Sequence, residues 1–530
     1  MMPVYHWAQT FTVTEDDIEF LTGLLLDGEV PLRTDTLARA LVERKLAQEA
    51  ADLEAKFEGV RVYNPADSYE VEQKVMFPAL NYAIGIVTST RAGVGENYGP
   101  FNVMAVQFED GEGSAPREFA FNLQTPHKLS TLAQNGDSAS HLPGRSTLSV
   151  DEILARFGDE IIAKVGTALA NDDDLVPLTG TWFPRSLILD VNIGHLNLAE
   201  AVLDINEGGP LTTSEILEQI GGLGNAPEAL QIFSMNYALS KDNRFDEVGP
   251  LDRVLWYLRR LEPSELTATP PMLVYTPIEF DESLLTPEMK ALVQEIDDEW
   301  SDLPDPDEEA SAQQVSITLN YPHRRMGTLP LNAKMRHIFP TARRTPRIYV
   351  SLVDGQDGEE YVGWVVRKER FVFGLGALYR KHKLPVGARI SIRHSEEDPG
   401  KLVIDFNAYK PRTEWVRIIT PKDNQIAFED QKRAIGASFD ELMLLGADDL
   451  GAVDALFQSA QQSRRSLTSI VRTILAELSR TAPQNAVHGK TLYSAVNVMR
   501  RCPPGPIFVA MVNSPDFEYV GNNYWKLSAN

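Results

Sequence analysis

Two short patterns recur along this chain of 530 residues. Pro31-Leu32-Arg33-Thr34 follows a turn at Asp27-Gly28-Glu29-Val30, and Pro210-Leu211-Thr212-Thr213 follows a turn at Glu207-Gly208-Gly209. After each, Leu or Ile residues are spaced for the core face of a helix. Farther on, Phe245-Asp246-Glu247-Val248-Gly249 corresponds to Phe517-Glu518-Tyr519-Val520-Gly521, and each precedes a strand holding a tryptophan, Trp256 or Trp525. Such repetition constrains the architecture, because a single core stops growing near ~250–300 residues. The chain is therefore expected to form roughly three to five domains, some of them copies of one unit.

Helices followed by a β-hairpin describe a winged helix. The expected fold class is α+β multidomain: repeated winged-helix modules with a small β-barrel and a basic, β-rich, pseudobarrel-like domain. Residues 1–58 read as helix-turn-helix-like, with helical spacing at Ile18, Leu21, Leu24 and Leu25 but no evident wing. Residues 59–125 alternate as short strands of a small β-barrel, and 126–193 as a loop and helical connector. A winged helix spans 194–275 and a second 464–530. Between them lie an acidic linker (276–314), the basic β-rich domain (315–427) and a helical connector (428–463).

Charge is sorted along the chain. The formal net charge is -25, yet residues 323–417 hold 19 Lys+Arg against 10 Asp+Glu, and residues 464–530 hold 8 against 3. Residues 279–309 hold 13 acids and one lysine, the composition of a solvated linker. An evenly acidic surface would repel phosphates, so nucleic-acid contact falls to the two basic segments. Cys502 is the only cysteine, which excludes an internal disulfide and fits a reducing cytoplasm. No secretory signal or membrane span is expected.

Gly209-Pro210-Leu211 with Glu215-Ile216, then Arg244-Phe245-x-x-Val248-Gly249, give residues 194–263 a resemblance to the HARE-HTH winged helices. His488-Gly489-Lys490-Thr491-Leu492-Tyr493 and Phe517-x-x-Val520-Gly521 do the same for 467–527, and 11–57 is a partial copy. Gly363-Trp364-Val365-Val366, the turn and helix from Phe371 to Lys383, and Leu384-Pro385-Val386-Gly387-Ala388-Arg389-Ile390 resemble a plant B-three-type DNA-binding pseudobarrel. These resemblances imply DNA contact. In the C-terminal module the second helix would offer Lys490, Thr491, Ser494, Asn497, Arg500 and Arg501 to a groove. In the basic domain Arg324, Arg325, Arg343, Arg344, Arg347, Arg367, Lys368, Arg370, Arg380, Lys381 and Lys383 would meet phosphates. The alternative for this domain is a face that binds the chain's own acidic linker. The middle module is acidic around its equivalent helix and suits a protein partner better.

Catalytic motifs are missing. Gly489-Lys490-Thr491 lacks the first glycine of a phosphate loop, and Arg91 to Gly99 joins two strands as a hairpin turn. Asp398-Pro399 to Asp405 and Lys410 lack the Glu/Asp-x-Lys element of a nuclease. The expectation is a cytoplasmic, non-enzymatic, DNA-binding prokaryotic regulator without a cofactor. Its acidic half would meet a protein partner such as RNA polymerase, and no membrane is involved. The alternatives are a docking scaffold and a specificity subunit of a defence or restriction system.

Overall fold

The computed structural model describes residues 10–56, 59–80, 83–94, 99–108, 115–125, 127, 149–251, 253–304, 314–343, 345–423 and 425–528. The chain mixes α and β elements in several separate sheets. It divides into two compact units, residues 1–189 with 226–233, and residues 190–225 with 234–530. Among the described residues no helix is long and apolar enough to cross a membrane.

The first unit opens with α1 (Glu15–Gly28), whose cap Thr14 accepts the Asp17 N–H while the Asp17 carboxylate accepts the Thr14 N–H. β1 (Leu32–Arg33) and α2 (Thr34–Lys56) follow. The chain then leaves for a sheet of β2 (Arg61–Val62), β3 (Lys74–Phe77), β4 (Ala83–Ala92), β5 (Asn102–Phe108) and β6 (Arg117–Phe121), ordered as written. A small barrel was expected here. Among the described residues β2 and β6 are unpaired edges, so the sheet is open. After residues 128–148, which lie outside the described residues, α3 (Val150–Ala170) returns to the helices. It packs Ile153, Ile161, Val165 and Leu169 with Leu21, Leu25, Leu37 and Leu41. The hairpin β7 (Leu175–Leu178) and β8 (Thr181–Pro184) follows, and β8 pairs with β1. Residues 149–184 are thus no connector. They complete the module begun by α1 and α2, and supply its hairpin beyond an inserted sheet.

A similar order of elements recurs over residues 193–258, with an isolated bridge in place of the first strand. α4 (Ile193–Ile205), α5 (Thr213–Ile220) and α6 (Glu228–Lys241) precede β9 (Phe245–Glu247) and β10 (Trp256–Leu258). Leu211 bridges Trp256, as Leu32 pairs with Trp182 in the first copy. The Thr two residues later accepts the indole N–H each time: Trp182 to Thr34 at 2.9 Å, Trp256 to Thr213 at 3.1 Å. This gives Pro-Leu-x-Thr a physical cause, since a buried indole N–H needs a partner.

Residues 314–405 form a seven-stranded sheet. Its strands are β11 (Gln314–Thr318), β12 (Thr328–Pro330), β13 (Arg347–Asp354), β14 (Glu360–Val366), β15 (Phe371–Phe373), β16 (Arg389–His394) and β17 (Lys401–Asp405), in the order β11-β16-β17-β13-β14-β15-β12. Only β13 and β17 run parallel among its paired strands. The helices α8 (Tyr321–Met326) and α9 (Gly376–Lys381) interrupt it, and α7 (Pro287–Ile296) lies upstream. A second, three-stranded sheet contains β18 (Ala408–Ile419), β19 (Phe428–Ala437) and β20 (Leu445–Ala447). Residues 428–447, expected to be helical, are therefore largely strand, and only α10 (Leu450–Gln462) is helix in that connector. The last module holds α11 (Leu467–Ser479), β21 (Val487–His488), α12 (Gly489–Met499), α13 (Pro504–Val512), β22 (Phe517–Gly521) and β23 (Tyr524–Leu527), with Val487 opposite Trp525.

The acidic segment corrects the linker reading. Residues 276–304 pack into the second unit, and 305–313 lie outside the described residues. Leu285 and, on α7, Met289, Leu292 and Val293 join the core built by α10 to α13. The acids that follow turn inward. Arg501 lies 2.7 Å from Asp298 and 2.6 Å from Glu299, and all three are buried. Tyr493 donates to Asp298 at 2.6 Å, and His323, also buried, contacts Glu299 at 3.0 Å. Burial alone would raise the Glu299 carboxyl, but Arg501 and His323 outweigh it and hold it down to about 2. Removing one partner of such a pair strands buried charge. Arg501→Ala is expected to destabilise the second unit by about 3–5 kcal/mol, lowering its urea midpoint. A midpoint within error of the wild type would show that the network carries no stability.

Candidate nucleic-acid interface

The helix expected to enter a groove is enclosed. Every residue of α12 is buried. Lys490 reaches Asp440 at 2.7 Å and also pairs with Glu295. Burial would lower its pKa, but these two carboxylates raise it. Thr491 donates to the Leu442 carbonyl at 2.7 Å and Ser494 to that of Met443 at 2.9 Å. Asn497 donates to the Tyr493 and Cys502 carbonyls and accepts from Arg501. These residues therefore present no base-reading face, and only Arg500, half-buried, borders solvent. The cause is the packing of two segments on this helix: the acidic segment, with Glu295, Asp298 and Glu299, and residues 440–443.

Several cations of the basic domain are likewise turned inward. Arg347 links β13 to the middle module through Asp246 and, at 3.1 Å, Glu262. Arg367 donates to the carbonyls of Pro340 and Arg336, each at 2.9 Å. Arg370 lies over the Trp300 ring at 4.6 Å and donates to Asp302 at 2.9 Å. Arg325 pairs with Asp454 at 2.6 Å, and Arg324 donates to the Leu384 carbonyl. Arg343, Lys368, Arg380 and Lys383 are exposed, while Arg344 lies outside the described residues. The own-segment alternative is thus realised for Arg370, through Trp300 and Asp302.

Lys381 is exposed but sits among carboxylates. Its ammonium is 2.7 Å from Glu359 and 3.0 Å from Asp354, and also pairs with Asp357. Asp357 first, then Glu359 and Asp354, hold its pKa well above the ordinary lysine range. His382 joins Asp354 at 2.6 Å. Asp354, Asp357 and His382 have the spacing of a metal site, but the lysine already supplies the cation between these acids. This arrangement ties the β13–β14 turn to α9.

An open basic surface appears where the sequence reading assigned no site. β18 and β19 form an antiparallel ribbon, with Trp415 opposite Lys432 and Thr413 opposite Ala434. One face sends Val416, Ile418 and Ile435 into a small core with Leu444. The other exposes 64% of Trp415. Lys432 lies 5.1 Å over its ring, whereas Arg412, opposite the core-facing Ile435, lies 5.4 Å over Tyr409. Among the described residues no ion pair engages Lys410, Arg412 or Lys432, all exposed. Arg433 is different, being paired with Asp448. The legible signal was the sequence Tyr409-Lys410-x-Arg412-x-x-Trp415, aromatics and cations interleaved, although the alternation alone could not say which side faces solvent.

The Arg347 linkage also makes a titration testable. Glu262 is buried beside Asp246. Burial, then its hydrogen bond with Asp246 and repulsion from it, push the Glu262 carboxyl up to about 8 against the pull of Arg347. From the ordinary 4.5 up to that value, the folded state keeps a proton that the unfolded chain has lost. Stability therefore falls as pH rises through this window. Glu262→Gln is expected to flatten that fall and to raise the melting temperature of the unit near pH 8. Melting curves of both proteins across the window check this, and identical slopes would reject it.

No family model matches the chain, and neither a curated protein nor a solved structure is similar to it.

Proposed function

We propose that the protein binds nucleic acid through the β18–β19 ribbon, with an unpaired base stacked on Trp415 and the backbone held by Lys432 beside it and by Lys410 near the ribbon's end. The observation that carries this reading is the 64% exposure of Trp415 beside Lys432, which among the described residues has no ion pair. An indole in water gives up contact area that a base could cover, and base–aromatic stacking is worth ~1–3 kcal/mol. Nearby cations supply the sequence-independent attraction to phosphates. The order of a helix, a short strand or single bridge, two helices and a hairpin in the three modules supports a winged-helix reading. The seven-stranded sheet interrupted by short helices supports the pseudobarrel likeness. In this reading the protein is a DNA-binding regulator without its own chemistry, and α12 serves as interior scaffold.

A second reading, a docking scaffold, is favoured by α4. Ile193, Leu198 and Ile205 are 66%, 50% and 81% exposed there. Apolar side chains of this size on one helix suit a protein partner.

Fluorescence anisotropy of the full chain on a single-stranded oligonucleotide and on a duplex, over a salt series, separates the two. Trp415→Ala is expected to weaken single-strand binding by about 1–3 kcal/mol. Lys410→Ala and Lys432→Ala should each reduce the single-strand salt slope by about 0.7. Binding unchanged by Trp415→Ala, or no binding at low salt, would reject the ribbon and favour the scaffold.

A further inference from the structure

A cavity of about 230 Å³ opens beside the C-terminal end of α10. Arg464, Arg465, Arg500 and Arg501 line it, with Gln461 and Thr276. The lining includes no carboxylate. The four guanidinium groups run from exposed to buried: Arg464 is exposed, Arg465 and Arg500 half-buried, and Arg501 buried.

Their partners leave most of this charge uncompensated. Arg465 donates to the Thr473 hydroxyl at 2.6 Å, and Arg500 to the Arg465 carbonyl at 3.3 Å. Neither partner is charged. Among the described residues Arg464 has no side-chain hydrogen bond or ion pair. Arg501 alone is neutralised, by Asp298 and Glu299 through its Nη2. Its Nη1 serves Asn497, while its Nε is buried without a partner. A buried N–H left unpaired is costly, and like charges gathered in a cleft repel. The repulsion is removed by one anion with several acceptor oxygens in the cavity.

We propose that this cavity is a binding site for a phosphate-type oxyanion. Guanidinium forks match phosphoryl oxygens geometrically, and several forks around one cavity favour a group with three oxygens over a carboxylate with two. The volume lies below the ~300–1,000 Å³ of ordinary small-molecule pockets. It suits a phosphate or pyrophosphate group, free in solution or at the end of a nucleic acid. The inference is separate from the ribbon, since no ribbon residue lines the cavity.

Isothermal titration calorimetry of the full chain tests it, with inorganic phosphate and pyrophosphate at constant ionic strength. Saturable binding is expected. Arg464→Ala, at the exposed rim, and Arg500→Lys, which keeps charge but loses the fork, should each weaken it about tenfold. Circular dichroism of both variants confirms that they are folded. Single strands with a 5′-phosphate or a 5′-hydroxyl distinguish the sources. A gain from the 5′-phosphate that pyrophosphate abolishes supports a nucleic-acid end, and binding of free anions alone supports a small ligand. Unsaturable heats, or binding equal in wild type and both folded variants, would overturn the site.

Discussion

The contact on which the second unit depends is the burial of Asp298 and Glu299 against Arg501. Two carboxylates without solvent are tolerable only with a cation and further donors around them. Arg501, Tyr493, His323 and the Trp300 N–H supply these. Because His323 comes from α8, Tyr493 from α12 and Arg501 from two residues beyond it, the acidic segment ties α8, between two strands of the seven-stranded sheet, to the last module. The apolar side of α7 adds the area that drives this packing, and the ion network fixes where its end must sit.

That contact also decides what α12 can do. A recognition helix needs one face in water, with donors free to meet base edges. In this chain the polar face is covered by Glu295, Asp440 and the carbonyls of Leu442 and Met443. Lys490, Thr491, Ser494 and Asn497 are polar because their partners are polar, inside the protein. From one sequence this is hard to see. The residue types that read a groove are the types that satisfy a buried network, and the partners lie ~50 or ~200 positions away.

Local patterns were the most legible. The strands 314–318, 347–354 and 389–394 follow period-two alternation, and 360–366 and 401–405 carry short apolar runs, signals direct enough to be read. The repeated Pro-Leu-x-Thr marks a real structural equivalence, since Leu32 and Leu211 both face a tryptophan. Its tryptophan partner in the first copy, Trp182, stayed hidden because a whole sheet is inserted before it. The acidic segment misled for a different reason. Counting charge over residues 279–309 averages exposed acids with buried ones, and the buried ones are those that matter for packing. Residues 428–437 were read as helix because their alternation is broken by charged residues on the exposed ribbon face.

Net charge is therefore a poor guide to where an anion could bind. The chain is strongly acidic, yet its acids are committed locally: to Arg501 and Lys490 in the core, to Lys381 beside Asp354, and to Arg347 at the middle module. What remains is set by geometry. Beside Trp415, Lys432 has no ion pair among the described residues, and the lining of the Arg464–Arg465–Arg500 cleft includes no carboxylate. Electrostatic attraction to a phosphate falls off within about a Debye length, ~8 Å at physiological salt. Over that distance an anion responds to the cations left unpaired nearby, and the distant acids that set the overall charge act mainly on its approach.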